Sequence, residues 1–485
     1  MNPYKKFTKD VGLAGVAQLV SSLKGLLLLP ILTKTLRAEF YGIWTQIMVT
    51  ISLLMPLALL QLEYAMTRFL TAEENKNKIS KGVSSIFVTV ASAASVISLL
   101  IFILAEPLAI AVFGGAGATH FVKISAFLIL LSALNQIIFQ YFISFRQMER
   151  YSGFVILQTI GEALLISYAV LSGFGLFGAI ISLLLVRTFI FIIGFLLVRS
   201  EVRMTTPCLS VVKPYLAFSL PLIPFTLSWW LVTSGDRYVI GYFLGAANVG
   251  IYSASYTLGN VISFLYAPIA LVLFPAITNL YENNNIHEVK MHLKYTLKFF
   301  LMIAIPSLFG LTILSKSLLG ILTTSEFIEA YMVIPIVALG ALLFNIGKLF
   351  SDVLMLFKKT KIISLVFGSS ALLNLVLNIF LVPLIGIIGA AIATLVTFAI
   401  LFSILAFLSF RCLSFDWDLR FITKSIVSST VMGFVIFKFH PIGIINILVS
   451  TMVGACIYFG ILIILGGFTK EEYSFLKRII KSVTS

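Results

Sequence analysis

Six charged side chains lie well inside long apolar segments of the sequence. Four are bases and two are acids, namely Lys24, Lys123, Arg187, Lys348, Glu162 and Asp352. A charge near the centre of a bilayer costs about 2.5–3.5 kcal/mol on insertion scales, so such side chains normally face the protein interior or a water-filled path. The excess of bases over acids favours a site that binds an anion within the membrane.

Each of these charges has both a functional and a structural interpretation. Lys24 and Arg187 lie near the middle of their apolar segments, and a guanidinium suits phosphate because it donates two parallel hydrogen bonds. Glu162 offers the alternative, because it could neutralise Arg187 as a structural pair, and Lys24 could likewise pair with a buried carboxylate. Glu162 could instead carry a coupling proton.

A second set of buried charges lies later in the chain. Lys348 and Asp352 are four residues apart and therefore share one face of a helix. Either they neutralise each other, or Lys348 is a further substrate-binding cation and Asp352 a proton or sodium switch.

Three charges at segment ends are candidates for gating or entry. Asp236 and Arg237 lie at the end of the seventh apolar segment, as either an outer gate or a structural ion pair. Arg68 lies at the end of the second segment, where it would contact substrate headgroups on entry or simply anchor the helix at the membrane surface.

The composition requires a membrane around these charges. The 485 residues are 60% hydrophobic and 11% charged, with a mean hydropathy of +1.09, whereas a soluble domain carries about 25% charge. Small charged enzymes, disulfide frameworks and folded nucleic-acid readers are therefore excluded. The hydropathy predicts an all-α polytopic membrane protein with about 14 transmembrane helices. The predicted spans are 11–33, 41–62, 83–104, 120–142, 152–172, 176–198, 214–233, 249–275, 296–315, 330–355, 362–383, 386–410, 421–438 and 442–467.

The basic residues predict the orientation of these spans. With both termini inside, 25 of the 34 Lys and Arg residues fall in inner loops and 5 in outer loops, as the positive-inside rule requires. Topology and attraction to anionic membrane lipids therefore explain most of the net charge of +15, and no nucleic-acid partner is expected.

Two further patterns concern the membrane interface. Thr469 to Glu472 form a capping box that is expected to start an interfacial helix on the inner side. The tryptophans fall near predicted span ends, which indicates an aromatic belt. They are Trp44, Trp229, Trp230 and Trp417.

The first half of the chain is weakly repeated in the second at an offset of 208 to 212 residues. The matched pairs are Gly42 with Gly250, Phe145 with Phe357, and Gly175 with Gly386. Six spans separate the copies, so both have the same orientation, and parallel halves around a central site are typical of transporters. We predict two six-helix lobes, 1–205 and 206–410, followed by two transmembrane helices and the interfacial helix in 411–485.

Four passages carry a resemblance to a known family. They are Leu29–Ile31, Glu39–Gly42, Ala65–Phe69 and, most specific, Asp236–Ala254. The chain resembles the Wzx-type polysaccharide and O-antigen flippases of the multidrug/oligosaccharidyl-lipid/polysaccharide (MOP) superfamily. The resemblance covers essentially the whole chain, and no motif in it is catalytic.

The resemblance implies a function, a place and a role for Lys24. It implies that an undecaprenyl-pyrophosphate-linked oligosaccharide moves from the cytoplasmic to the outer leaflet of a bacterial inner membrane, by alternating access between the lobes. It also places span one, with Lys24, beside the substrate cavity. Other polysaccharide-assembly proteins are then expected as further partners.

Two alternative functions fit the sequence less well. A drug or metabolite cation antiporter of the same superfamily would favour carboxylates in its cavity, whereas four of the six buried charges are bases. A membrane-embedded polysaccharide polymerase or sugar transferase would need a sizeable catalytic loop or paired acids. We therefore expect a transporter without a cofactor, and not an enzyme, with coupling to H⁺ or Na⁺ left open.

Overall fold

Helices account for nearly all of the described chain. The computed structural model describes residues 3–113, 115–439 and 441–468, and no strand occurs within these ranges. In chain order the helices are α1 Pro3–Leu59, α2 Leu62–Leu70, α3 Lys76–Ile103, α4 Ala105–Phe113, α5 Thr119–Ser144, α6 Met148–Ala169, α7 Gly175–Glu201, α8 Leu209–Ser219, α9 Ile223–Ser234, α10 Asp236–Leu244, α11 Ala246–Gly259, α12 Val261–Glu282, α13 Ile286–Leu322, α14 Ser325–Ile328, α15 Val333–Leu356, α16 Thr360–Phe410, α17 Leu419–Phe439 and α18 Ile444–Ile464.

Within the described residues, eleven helical runs are long and apolar enough to cross a membrane. The three longest contain non-helical backbone, at Arg37 (φ 58°, ψ 170°), Gly173 (φ 87°) and Gly386 (φ 65°). Dividing each of these three runs at its break gives fourteen apolar segments in the described ranges, most of them close to the predicted positions. The eighth span, predicted over 249–275, differs because the chain is divided at Asn260 into α11 and the apolar helix α12. The all-α polytopic class is confirmed. Fourteen crossings with both termini inside stay a prediction.

The seventh segment is longer than predicted. α8, α9 and α10 follow one another along it, and Gly235 keeps a helical backbone (φ −64°, ψ −26°) between α9 and α10. The segment therefore continues beyond the predicted end at residue 233 to Leu244, where Gly245 (φ 82°) turns the chain into α11. The hydropathy pattern misses this extension because Asp236 and Arg237 lower the local average.

The hydrophobic side chains form two large cores. One draws most of its buried residues from 28–202 and the other from 232–462. This arrangement agrees with two helical lobes, although the lobe boundaries at 205 and 410 stay a prediction. The capping box at Thr469–Glu472 and the helix it was expected to start lie outside the described residues.

Two ion pairs hold the C-terminal helices against the second core. Nζ of Lys298 donates to Oδ2 of Asp418 at 2.8 Å, and Nζ of Lys294 donates to Oδ2 of Asp416 at 3.0 Å. Partial burial raises the pKa of Asp418, but hydrogen bonds from Lys298 and the Phe421 backbone outweigh it and hold this pKa below its usual range. The start of α17 is thereby fixed relative to α13.

The repeated passages share unusual backbone geometry. Arg146 and Lys358, each one residue after a matched phenylalanine, have φ values of 55° and 58°. Gly175 and Gly386, at the matched hairpins, have φ values of 54° and 65°. A non-glycine residue seldom adopts a positive φ, so its recurrence at matched positions supports the internal duplication.

The matched glycines Gly42 and Gly250 form a contact between the two halves. A Cβ atom on Gly42 would lie 1.8 Å from the carbonyl oxygen of Ala246, and one on Gly250 would lie 2.2 Å from that of Ala38. The two helices therefore touch backbone to backbone. Beside this contact, Oε2 of Glu326 accepts a hydrogen bond from the backbone N–H of Ala38 at 3.1 Å. The predicted outer ends of the lobes are closed against each other.

We predict that Gly42→Ala destabilises the protein by about 1–3 kcal/mol, because the helices must separate to admit the methyl group. Gly25→Ala is the matched control, since a Cβ at Gly25 in the same helix α1 meets nothing within 4 Å. The control should be neutral or slightly stabilising. Thermal unfolding of both variants in detergent measures the difference, and equal melting temperatures would contradict the close contact.

Candidate functional site

Three predicted site residues meet in one ion-paired triad. Glu162 on α6 is 0% exposed, and its Oε2 accepts a hydrogen bond from Nζ of Lys24 on α1. Its other oxygen, Oε1, accepts from Nε of Arg187 on α7 at 3.0 Å. Lys24 and Arg187, each of which could pair with a buried carboxylate, thus both pair with Glu162. Because one acid faces two bases, the triad keeps one net positive charge.

Neutral groups complete the hydrogen bonding of the triad. Nε2 of Gln158 donates to Oε1 of Glu162 at 3.0 Å, one turn away on α6. On α5, the hydroxyl oxygen of Ser132 accepts from Nη1 of Arg187, and Nδ2 of Asn135 donates to the Arg187 carbonyl at 2.9 Å. These bonds orient Glu162 and Arg187. Lys24 is the most accessible member, with 27% of its side chain exposed against 13% for Arg187.

Lys348 and Asp352 have a different environment in the second half. Neither takes part in an ion pair within 4.0 Å in the described part of the chain, although they are one turn apart on α15. Nζ of Lys348 instead lies 5.3 Å from the ring centroid of Tyr266 and 5.8 Å from that of Trp229. Aromatic faces stabilise an ammonium by cation–π attraction. The structure does not bring these two charges into contact with the triad.

The buried cations lie at a common depth. At 1.5 Å per residue, Lys24, Glu162, Arg187 and Lys348 are about 16 to 23 Å from the breaks at Arg37 and Gly173 and from the starts of α7 and α15. The hydrocarbon core is about 30 Å thick. With these helix ends on the outer side, as the sequence predicts, the triad and Lys348 would lie near the middle of the membrane, where an anionic group crossing it would need counter-charges.

Asp236 and Arg237 form a buried ion pair. Nη1 of Arg237 donates to Oδ1 of Asp236 at 2.7 Å, and the Tyr252 hydroxyl donates to Oδ2 at 2.5 Å. The guanidinium also lies 4.0 Å from the ring centroid of Tyr256. Because α10 continues to Leu244, the pair lies inside the segment. The sequence predicted it at the end of the segment. The contacts suit a structural pair that joins α10 to α11.

Arg68 lies apart from these residues. It is exposed on α2, and its guanidinium lies 4.4 Å from the ring centroid of Phe218 on α8. Phe69 stacks on Tyr215 at 5.0 Å beside it. Arg68 thus takes part in an aromatic contact between the halves at their predicted inner ends, with its charged group still open to the surface.

The aromatic-belt interpretation of Trp229 and Trp230 stays a prediction. The longer seventh segment places Trp230 about 22 Å and Trp229 about 24 Å from the segment end at Gly245, and not at the end itself. Trp229 packs between Phe344 at 5.2 Å and Phe367 at 5.0 Å. Thr226, Trp230 and Thr233 are spaced four and three residues apart, and this spacing is the sequence signal that they share one face of α9.

An apolar groove of about 370 Å³ runs between α13 and the two C-terminal helices. Its lining includes Met302, Pro306 and Leu314 from α13, Met432 from α17 and Phe459 from α18. Such a surface accommodates an aliphatic chain and offers few hydrogen-bond partners. The ion pairs of Lys294 and Lys298 fix the helices that border it.

Comparison with family models identifies the chain. The model described as "Polysaccharide biosynthesis protein" matches residues 7–281, more than half of the sequence. The chain belongs to this polysaccharide biosynthesis protein family, within the MOP superfamily. A second model, MatE, matches residues 221–380 and so covers much of the second lobe of this family member.

Two curated relatives are archaeal proteins of Haloferax volcanii. The probable low-salt glycan biosynthesis flippase Agl15 is 27% identical over 228 residues, which is 47% of this chain and 48% of the relative. The probable flippase AglR is 27% identical over 264 residues, or 49% of this chain and 51% of the relative. The chain thus spans about half the length of the curated relatives it matches.

Solved structures share the fold of this family member. Lipid II flippase MurJ in an inward closed conformation gives a TM-score of 0.77 at 18% identity, covering 92% of this chain and 97% of that one. A multidrug resistance MATE family transporter in an inward-facing conformation gives 0.67 at 13% identity, covering 80% and 93%. At these identities the likeness shows the fold alone.

We predict that Glu162→Gln is more damaging than removal of either cation. It leaves Lys24 and Arg187 buried without a counter-charge, which costs about 3–5 kcal/mol when one partner of a buried pair is lost. Lys24→Met is the matched control, because Glu162 then keeps Arg187 and the site becomes neutral. Unfolding in detergent should show a large drop for Glu162→Gln only. Equal stability of the two variants would contradict the charge balance of the triad.

Proposed function

We propose that this protein is a flippase that moves a polyprenyl-pyrophosphate-linked oligosaccharide from the inner to the outer leaflet. The observation that carries the proposal is the net positive triad of Lys24, Glu162 and Arg187 near mid-membrane, with Lys348 at a similar depth on the other lobe. A pyrophosphate crossing the bilayer needs cationic partners there, since an unpaired charge is costly in a low dielectric.

Other features support each part of such a cargo. The apolar groove between α13, α17 and α18 suits the polyprenyl chain. The contact of Gly42 with Gly250 closes the predicted outer ends, as an inward-directed state of alternating access requires. The named relatives Agl15 and AglR, both probable flippases, favour the same class of substrate. Because these relatives are archaeal, the bacterial inner membrane remains our prediction, as do the polysaccharide-assembly partners.

We assign coupling to the second lobe. Glu162 is occupied by two cations, whereas Asp352 makes no ion pair in the described chain, so Asp352 is the better candidate to bind H⁺ or Na⁺. Arg68, open to the surface near the predicted inner end, would meet cargo headgroups on entry. Asp236 and Arg237 would hold α10 against α11 while the lobes move.

We predict that Lys348→Met slows flipping at least about 10-fold, because it removes a charge-assisted interaction worth about 1.5–3 kcal/mol. Lys24→Met should slow flipping by a smaller factor, because Glu162 competes with the cargo for that ammonium. The measurement is loss of a lipid-linked oligosaccharide from the inner leaflet of proteoliposomes. Lys24→Arg should retain most of the activity. Lys123→Met is the matched control, since Lys123 is also partly buried within a span but lies against Phe102. Wild-type rates in the Lys24→Met/Lys348→Met double variant would refute the cationic path.

A second function, export of drug-like cations, is favoured by the MatE match and by the unpaired Asp352. The two functions differ in what Asp352→Asn removes. For the flippase, we expect Asp352→Asn to abolish acceleration by an imposed H⁺ or Na⁺ gradient while lipid-linked oligosaccharide still binds. Efflux of a cationic dye from loaded vesicles by the wild type, without oligosaccharide flipping, would establish the antiporter instead.

A further inference from the structure

One face of α9 combines an aromatic ring with hydroxyl groups within the seventh apolar segment. Thr226, Trp230 and Thr233 are spaced four and three residues apart, so they share a helix face. All three are partly exposed. We call these three residues the α9 aromatic face. It lies at nearly the same depth as the triad, about 22 Å from the predicted outer end of the segment at Trp230.

Both lobes fix the orientation of Trp230. Its indole Nε1–H donates to Oγ of Ser52 on α1 at 2.9 Å. Its ring meets Tyr238 edge-on, with centroids 5.6 Å apart and an interplanar angle of 71°. The Tyr238 hydroxyl in turn lies 2.7 Å from Oγ1 of Thr50. Trp230 therefore borders the space between the lobes, held in place while part of its surface stays open.

The neighbouring indole has a different role. Trp229 stacks on Phe367 with an interplanar angle of 26° and packs against Phe344. Packing on Trp229 therefore stiffens α9, whereas Trp230 keeps its open surface. Trp229 thus supports the helix by packing, whereas Trp230 has surface available to contact a ligand.

The flanking hydroxyls retain acceptor capacity. Oγ1 of Thr226 donates to the Leu222 carbonyl at 3.0 Å, and Oγ1 of Thr233 donates to the Trp229 carbonyl at 3.0 Å. A hydroxyl that donates its only hydrogen still offers lone pairs. The α9 aromatic face therefore presents an apolar ring between two hydrogen-bond acceptors.

We propose that the α9 aromatic face binds the glycan part of the cargo and sets its specificity. A pyranose ring has an apolar C–H face, which stacks on an indole, and an edge of hydroxyls, which donate to threonine oxygens; binding sites commonly combine aromatic walls with a few placed polar groups. The triad on the first lobe then holds the pyrophosphate while the second lobe holds the sugars. This inference rests on the proposed flippase function.

The experiment compares two lipids on the purified full-length protein. One is the lipid-linked oligosaccharide extracted from membranes of the organism that carries the gene, and the other is the same polyprenyl pyrophosphate without sugar. Binding of each is measured by native mass spectrometry. We expect the wild type to prefer the sugar-bearing lipid, and Trp230→Leu to weaken that binding about 5- to 10-fold while the sugar-free lipid binds as before.

Two variants control for folding and for the link between the lobes. Ser52→Ala removes the partner of the indole N–H but keeps the ring and its edge-on contact with Tyr238, so it should weaken binding of the sugar-bearing lipid much less than Trp230→Leu does. Trp230→Phe keeps an aromatic face and should lose less sugar preference than Trp230→Leu. If Ser52→Ala loses as much as Trp230→Leu, Trp230 acts through the contact between the lobes, and the glycan role is overturned.

The remaining outcomes separate this inference from the proposed function. If the wild type binds both lipids equally, or Trp230→Leu keeps the wild-type preference, the glycan role fails while a lipid-pyrophosphate cargo stands. If the wild type binds neither lipid, the proposed function fails and the inference falls with it.

Discussion

The carboxylate of Glu162 is the interaction on which the site depends. It is fully buried and bonded to cations from two other helices, so it joins α1, α6 and α7 within their apolar segments. Two bases buried there without it would each carry the cost of an unpaired charge in a low dielectric. One acid shared by two bases lowers that cost and still leaves a net positive charge. The ion pair with Glu162 also fixes the position of Lys24, the most exposed member of the triad.

The two halves share a backbone design but differ in their side chains. Positive φ values recur at matched positions and shape the hairpins, and the matched glycines Gly42 and Gly250 contact each other at the closed ends. The chemistry has diverged, because the first lobe holds its cations by an acid while the second holds Lys348 against aromatic rings. In the proposed flippase, a repeated scaffold would allow the lobes to move relative to each other, and unequal side chains would let each lobe bind a different part of one cargo.

Much of this fold follows from the sequence, because apolar length and loop charge are local properties. The all-α polytopic class and the matched hairpins could be predicted in that way. The partners in the triad could not be fixed, because Lys24 and Glu162 are 138 residues apart and pairing depends on how distant helices pack. The end of the seventh segment could not be predicted for a related reason. The pair Asp236–Arg237 looks like a helix end by hydropathy, yet mutual neutralisation lets the helix continue through it.

The same pairing bears on how a bound anion could be released. A pyrophosphate that binds Lys24 must compete with Oε2 of Glu162, which already occupies that ammonium. The gain on binding is therefore the difference between two charge-assisted contacts and not the full value of one. Arg187 would still pair with Glu162 in that state, so the carboxylate would not become an isolated buried charge. In the proposed flippase cycle, Glu162 would pair with Lys24 again once the site opens to the other leaflet, which lowers the free-energy cost of releasing the cargo. A site with the cations but without the acid would bind phosphate more tightly and release it more slowly, and it would also be less stable when empty.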